Sequence, residues 1–245
     1  MITFLSRAGF VAVLLLAAVG ILSSVTRFSN TVAYLQDPAV LESRTGPEVL
    51  REFDDRYYAS PYLTLVHVTV GFLCMVLGPV QSLASIRNRF LGFHRWSGRV
   101  FMLASLVGVV SAVIFVPMLP VFGGFSSRVG VVFASGVFLL ALVMGYIRIR
   151  QRQIAKHREW MIRVFALGLG ISTFRVLLPL LMLPPLNATF PEAWDSVVWL
   201  GFTINIFVAE VWINLTRPKG VRQHAPAASS GIVRAPAEPS VATTG

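Results

Sequence analysis

The stretch HRWSGRVFMLASLVGVVSAVIFVPMLPVF, residues 94–122, decides the fold because a basic, aromatic start leads directly into an uncharged, mainly apolar run. A helix needs about 20 such residues to cross a hydrocarbon core roughly 30 Å thick. Tryptophan is typical of the membrane–water interface, and arginine beside it can meet lipid phosphates. The stretch therefore predicts a transmembrane helix that begins at a membrane surface.

Five other apolar blocks flank this helix in the chain. Hydrophobic residues make up 55% of the sequence and charged residues 13%, whereas soluble domains carry about 25% charged residues. Because the bilayer core offers no water to the backbone, we expect each block to be helical. The sequence predicts an all-α integral membrane bundle of six transmembrane helices, at residues 8–26, 62–83, 100–122, 129–147, 162–183 and 194–215.

The distribution of arginine and lysine predicts the orientation of this bundle. The segments 84–99 and 148–163, taken with Arg7 and the C-terminal tail, carry 15 basic and 2 acidic residues. The opposite side carries 5 basic and 8 acidic residues. Loops rich in arginine and lysine stay in the cytoplasm. Both termini of this multi-pass protein are therefore predicted to be cytoplasmic.

The sequence divides into four parts. Residues 1–27 form the first transmembrane helix, which could instead be a signal sequence; we favour its retention because no small-x-small cleavage site follows. Residues 28–61 form an external loop with one short amphipathic helix that would lie on the bilayer. Residues 62–215 form a five-helix membrane core. Residues 216–245, rich in Pro, Ala and Ser, form a disordered cytoplasmic tail.

Charge and motifs restrict the possible partners. The net charge of +10 lies in short segments between apolar blocks, so nucleic acid is not expected, and anionic phospholipid headgroups are. The single cysteine, Cys74, excludes an internal disulfide. Nucleophile-elbow, P-loop, Rossmann and HExxH motifs are missing from the sequence, so no catalytic residue is assigned and a non-enzymatic role is favoured. The sequence predicts no oligomeric state.

The opening motif is nearly repeated. HRWSGRVF spans residues 94–101 and HREWMIRVF spans residues 157–165, each at a predicted cytoplasmic helix edge. These motifs could be interfacial anchors. Alternatively, His94 and His157 share a depth at which two imidazoles could ligate a haem iron. The neighbouring arginines could then pair with haem propionates, a quinone or another anion; they are Arg95, Arg99, Arg158 and Arg163.

Three costly polar residues lie within the spans, namely His67, Arg175 and Glu210. Glu210 lies near the depth of Arg99 and Arg163 and could pair with either of them. Arg175 could reach Asp195 or a bound anion. These groups are interpreted either as structural interhelical bonds or as a polar path for a proton or small solute.

Several motifs together resemble the bacterial multi-pass membrane proteins of domain-of-unknown-function 2306. They are LVHVTVG (65–71), HRWSGRVF (94–101), HREWMIR (157–163), TFRVLLPLL (173–181) and the late Glu210. The resemblance covers about residues 57–215 and implies a membrane protein without an established activity. It supports testing His67, His94, Arg99, His157, Arg163, Arg175 and Glu210.

Three hypotheses of function follow. We favour a non-enzymatic scaffold or a lipid- or anion-binding bundle, expected in a bacterial cytoplasmic (inner) membrane. The alternatives are a haem- or quinone-linked redox protein that uses His94 and His157, and a small-solute or proton transporter that uses His67, Arg175 and Glu210.

Overall fold

The computed structural model describes residues 2–41, 48–118 and 124–217, and these ranges are helical apart from short turns. No strand occurs in them. The α-helices of the described ranges are α1 (Ile2–Gln36), α2 (Glu48–Tyr58), α3 (Pro61–Ser82), α4 (Ala84–Arg89), α5 (Leu91–Phe115), α6 (Gly124–Arg150), α7 (Ile154–Gly168), α8 (Gly170–Met182) and α9 (Phe190–Thr216).

Six helical stretches in these ranges are long and apolar enough to cross a membrane, the fifth being α7 and α8 together. The predicted all-α membrane architecture with six candidate spans is confirmed. The side on which each terminus lies stays a prediction. We call the end that carries α4, the α6–α7 turn and the end of α9 the basic end. The opposite end, which carries α2 and the α8–α9 connection, is the loop end.

Helices that follow one another along the chain pack side by side. Helix α3 lies between α1 and α5, α6 packs on α7, and α8 packs on α9. Apolar clusters fill the interior at different levels: Phe174, Trp194 and Val197 belong to the cluster nearer the loop end. Phe101 and Val164 belong to the one nearer the basic end.

The basic segments are more helical than the sequence predicts. Residues 84–99 and 148–163 were assigned to cytoplasmic loops, but only residue 90 and residues 151–153 interrupt the helices there. Arg152 makes this second turn possible by adopting a left-handed φ of 58°. Continuing each helix satisfies its backbone groups internally, which is favourable at a membrane edge. The basic side chains are therefore held on rigid helices.

Further boundaries differ from the prediction; the third span is predicted to reach residue 122, but α5 ends at Phe115. Helix α1 continues through residues 28–36, which the sequence predicts to belong to the external loop. The fifth span breaks at Leu169, whereas Pro179 lies inside α8 without interrupting it. At this break Gly201 approaches α8 so closely that a Cβ there would lie 2.8 Å from the Gly170 carbonyl oxygen. The glycine pair lets the two helices touch through their backbones.

Candidate functional site

The second copy of the near-repeat lies on α7 and holds this helix against α9. Arg163 pairs with Glu210 through two hydrogen bonds, Nε to Oε1 at 2.5 Å and Nη2 to Oε2 at 2.9 Å. The guanidinium also lies 4.6 Å from the centroid of the Trp160 ring. Such bidentate ion pairs combine the attraction of opposite charges with a fixed geometry. Of the two partners that the sequence offers Glu210, the structure selects Arg163, and Arg99 is exposed.

A second ion pair and a hydrogen bond join α7 to the C-terminal end of α9. Glu159 accepts two hydrogen bonds from Arg217, at 2.8 and 3.1 Å, and its carboxylate raises the pKa of Arg217. Arg158 donates to Thr216 Oγ1 at 2.9 Å. The prediction that the disordered tail begins at residue 216 is therefore wrong for Thr216 and Arg217. Residues 218–245 lie outside the described ranges.

His157 is oriented by the backbone of α6. Its Nδ1 lies 2.8 Å from the carbonyl oxygen of Gly145. Because a carbonyl oxygen can only accept, Nδ1 carries a hydrogen and donates it. Nε2 is then an acceptor in the neutral ring and a second donor when the ring is protonated. Metal-ligating histidines are oriented in the same way.

The first copy of the near-repeat, on α5, makes different contacts. Gln81 of α3 donates to the buried Ser97 hydroxyl at 2.5 Å and to the His94 carbonyl at 3.3 Å. These bonds join α3 to α5. The longer side chains of the motif face away from the bundle: Arg95, Trp96 and Arg99 are all exposed. The two copies therefore differ in use, because one turns its arginines inward and the other outward.

Four basic or titratable side chains at the basic end lie within range of one another's charges, and we call them the basic-end cluster: Arg87, His94, His157 and Arg158. His94 lies close enough to Arg87 and His157 for their charges to interact, and Arg87 acts in the same way on Arg158. Nδ1 of His94 is buried without a hydrogen-bond partner among the described residues, so Nε2 is the nitrogen that can meet a ligand.

The acidic residues of the basic end are engaged with other arginines. In segments 84–99, 148–163 and 205–217 the sequence holds only Glu159 and Glu210. Glu159 pairs with Arg217, and Glu210 pairs with Arg163. Glu159 also acts on Arg158 through its charge, so it balances the basic-end cluster only in part. The positive charge that remains favours a bound anion.

His67 lies on α3 in the half of the bundle nearer the loop end. Its Nδ1 is 2.7 Å from the Ser111 hydroxyl, which itself donates to the Gly108 carbonyl at 2.9 Å. The imidazole packs edge-on against Phe115, with ring centroids 5.5 Å apart. One wall of a cavity between α3, α5, α8 and α9 is formed by this imidazole.

Arg175 on α8 lies close enough to His67 for its charge to act on the imidazole. Asp195, the partner suggested by the sequence, accepts a hydrogen bond from Ser127 at 2.7 Å. A pair between Arg175 and Asp195 stays a prediction.

The three residues of the transport hypothesis do not meet at one place. Val198 of α9 lines the same cavity as His67, whereas Glu210 lies 12 residues further along the helix, about 18 Å at the usual rise. Glu210 is also bound to Arg163 there. The structure thus separates His67 and Arg175 from Glu210.

His94 and His157 are the residues that could hold a haem or a metal. Nδ1 of His157 has the carbonyl partner that fits an iron ligand, and Nδ1 of His94 has none among the described residues. No three His, Cys, Asp or Glu side chains of the described ranges come together as a metal site. The haem and quinone interpretations stay predictions.

Sequence reasoning missed several residues of these sites. The sequence used Arg87 only as one of the basic residues that predict the membrane orientation. Predicting a helix at α4 would have placed Arg87 beside α5. Gln81 was detectable as a polar residue at the end of an apolar span. Ser111 and Phe115 gave no signal, because they lie among ordinary span residues and acquire a role only through packing against His67.

The profile of one protein family, described as "Predicted membrane protein (DUF2306)", matches residues 64–213. The chain belongs to this family. The DUF2306 match begins in α3 and ends in α9, so it includes both copies of the near-repeat, the basic-end cluster, His67 and the Arg163–Glu210 pair. Helix α1 and α2 lie outside it. No curated protein matches the chain. No solved structure matches it either.

Proposed function

We propose that this DUF2306 protein is a non-enzymatic, multi-pass protein of the bacterial cytoplasmic membrane that binds the phosphate of an anionic phospholipid at its basic end. The observation that carries the proposal is the basic-end cluster, in which the charges of Arg87 and His157 act on His94 and the charge of Arg87 acts on Arg158. Arginine and protonated histidine both donate charge-assisted hydrogen bonds to phosphate oxygens.

The position of the cluster favours a lipid as the source of this phosphate. It lies at the ends of helices that are long and apolar enough to span a bilayer, where headgroups are found. Exposed Trp96 and Arg99 lie on the neighbouring surface of α5, as expected for side chains in the interface. Arginine-rich ends face the cytoplasm, whose leaflet carries anionic lipids.

The test compares two arginines of one short helix. Arg87 and Arg89 are both exposed on α4, but only Arg87 is close to His94 and Arg158. Native mass spectrometry would titrate the purified chain with phosphatidylglycerol and, separately, with neutral phosphatidylcholine. We expect Arg87→Gln to weaken phosphatidylglycerol binding about tenfold, since a charge-assisted bond contributes about 1.5–3 kcal/mol.

Arg89→Gln is the matched control and should change binding by less than twofold. Equal losses in both variants would mean that the basic end attracts anions only diffusely, without a site. Binding that does not distinguish the two lipids would also contradict the proposal. A Soret band in protein expressed with haem available would instead support the redox hypothesis built on His94 and His157.

A further inference from the structure

A second candidate site lies in the loop-end half of the bundle. The cavity beside His67 has a volume of about 130 Å³ and is lined by residues of α3, α5, α6, α8 and α9, together with Tyr57 of α2. Aromatic rings form much of its wall: Phe115, Phe174, Trp194 and Phe202 all line it. Such a wall favours an apolar, flat occupant over a charged one.

Hydrogen bonding fixes the chemistry that His67 presents. The Ser111 hydroxyl gives its hydrogen to the Gly108 carbonyl, so its oxygen accepts from His67 Nδ1. Nδ1 therefore carries the hydrogen in the neutral ring. Nε2, at the far side of the imidazole, is then an acceptor.

The volume limits what could enter. A dry protein cavity of about 150 Å³ holds one benzene molecule, so the cavity beside His67 matches one six-membered ring. Haem, a sterol or a nucleotide would be far too large. His67 lines the cavity and its Nδ1 is already bonded to Ser111, so Nε2 is the ring nitrogen left to accept from an occupant. A matching ring therefore carries a hydroxyl that can donate.

We propose that this cavity binds a small neutral aromatic alcohol, a phenol-type ring whose hydroxyl donates to Nε2 of His67. The proposal is independent of lipid binding at the basic end, because the two sites share no residue. Ala112 lines the cavity from α5, and a larger side chain there would occupy the space of the ring.

The test uses 4-fluorophenol and fluorobenzene as probes, followed by ¹⁹F NMR with the full chain in nanodiscs. Protein-free nanodiscs correct for partition of the probes into lipid. We expect the wild-type chain to bind 4-fluorophenol about fivefold more tightly than fluorobenzene, the ratio expected for one hydrogen bond. His67→Leu should remove this ratio while Ser111 keeps its bond to Gly108.

Ala112→Leu should abolish binding of both probes. Val113→Leu is its control, because Val113 is exposed on the same helix and should leave binding unchanged. Equal affinity of the wild-type chain for the two probes would overturn the role of His67. No binding beyond partition would overturn the site itself, and neither result depends on how well a variant folds.

Discussion

Arg163 is a largely buried side chain that contacts both a carboxylate and an aromatic ring. Its charge is neutralised by Glu210, its face lies over Trp160, and its side chain is only 17% exposed. Removing Glu210 would leave a largely buried guanidinium without its carboxylate. We expect Glu210→Ala to lower the free energy of unfolding by about 1–3 kcal/mol, between the values for exposed and fully buried pairs. Thermal or denaturant unfolding in detergent would measure this loss.

A double-mutant cycle separates the pair from general damage. Arg163→Met with Glu210→Ala should cost less than the sum of the single changes, because neither charge is then left alone. Simple additivity would show that the two side chains do not stabilise each other.

The sequence predicted the Arg163–Glu210 pair only as one of two possibilities. Depth along the helices follows from residue counting, and it brings both Arg99 and Arg163 near the level of Glu210. The rotation of each helix decides between them, and rotation depends on packing. The same limit applies to His67, whose depth was predictable but whose bond to Ser111 was not.

The contact between α3 and α7 depends on a glycine. A Cβ at Gly78 would overlap the ring of Phe165, whereas nothing lies within 4 Å of a Cβ at Gly136 on α6. We expect Gly78→Ala to lower the free energy of unfolding by about 1–3 kcal/mol through overpacking. Gly136→Ala should be neutral or stabilise by up to about 1 kcal/mol, because alanine is the better helix former. Unfolding in detergent would compare the two.

If Gly78→Ala were as stable as Gly136→Ala, α3 and α7 would not be in close contact. Such contacts are hard to predict from one sequence, since a glycine does not indicate which helix packs against it. The existence of six spans was easier to predict because length and hydropathy alone decide it. The ends of the spans were harder to predict. The arginines in segments 84–99 and 148–163 suggest loops, but both segments are mostly helical, and their long basic side chains can reach water from a helix.

The whole molecule has opposite charge balances at its two ends, and orientation follows from this difference. We predict that the basic end faces the cytoplasm. Single-cysteine variants in a Cys74→Ala background would test it with a membrane-impermeant maleimide. Leu186→Cys, at an exposed position of the loop end, should be labelled at the outer face of the cytoplasmic membrane. Arg89→Cys, at the basic end, should be labelled only after that membrane is made permeable.

The opposite labelling pattern would reverse the orientation and remove the basic-end cluster from the leaflet that carries the anionic surface. It would leave the cavity beside His67 untouched, because that proposal depends on shape and hydrogen bonding alone.

Helix α1 is longer than a bilayer is thick. Its 35 residues rise about 52 Å, against a hydrocarbon core of roughly 30 Å. Its last turns, of the mixed sequence FSNTVAYLQ at residues 28–36, therefore stand among headgroups or in water unless the helix tilts steeply. There Tyr34 contacts Tyr58 at 4.8 Å between ring centroids, and Arg27 lies 4.3 Å from the Tyr57 ring. The end of α1 thus contributes to the position of α2 relative to the bilayer through these two contacts.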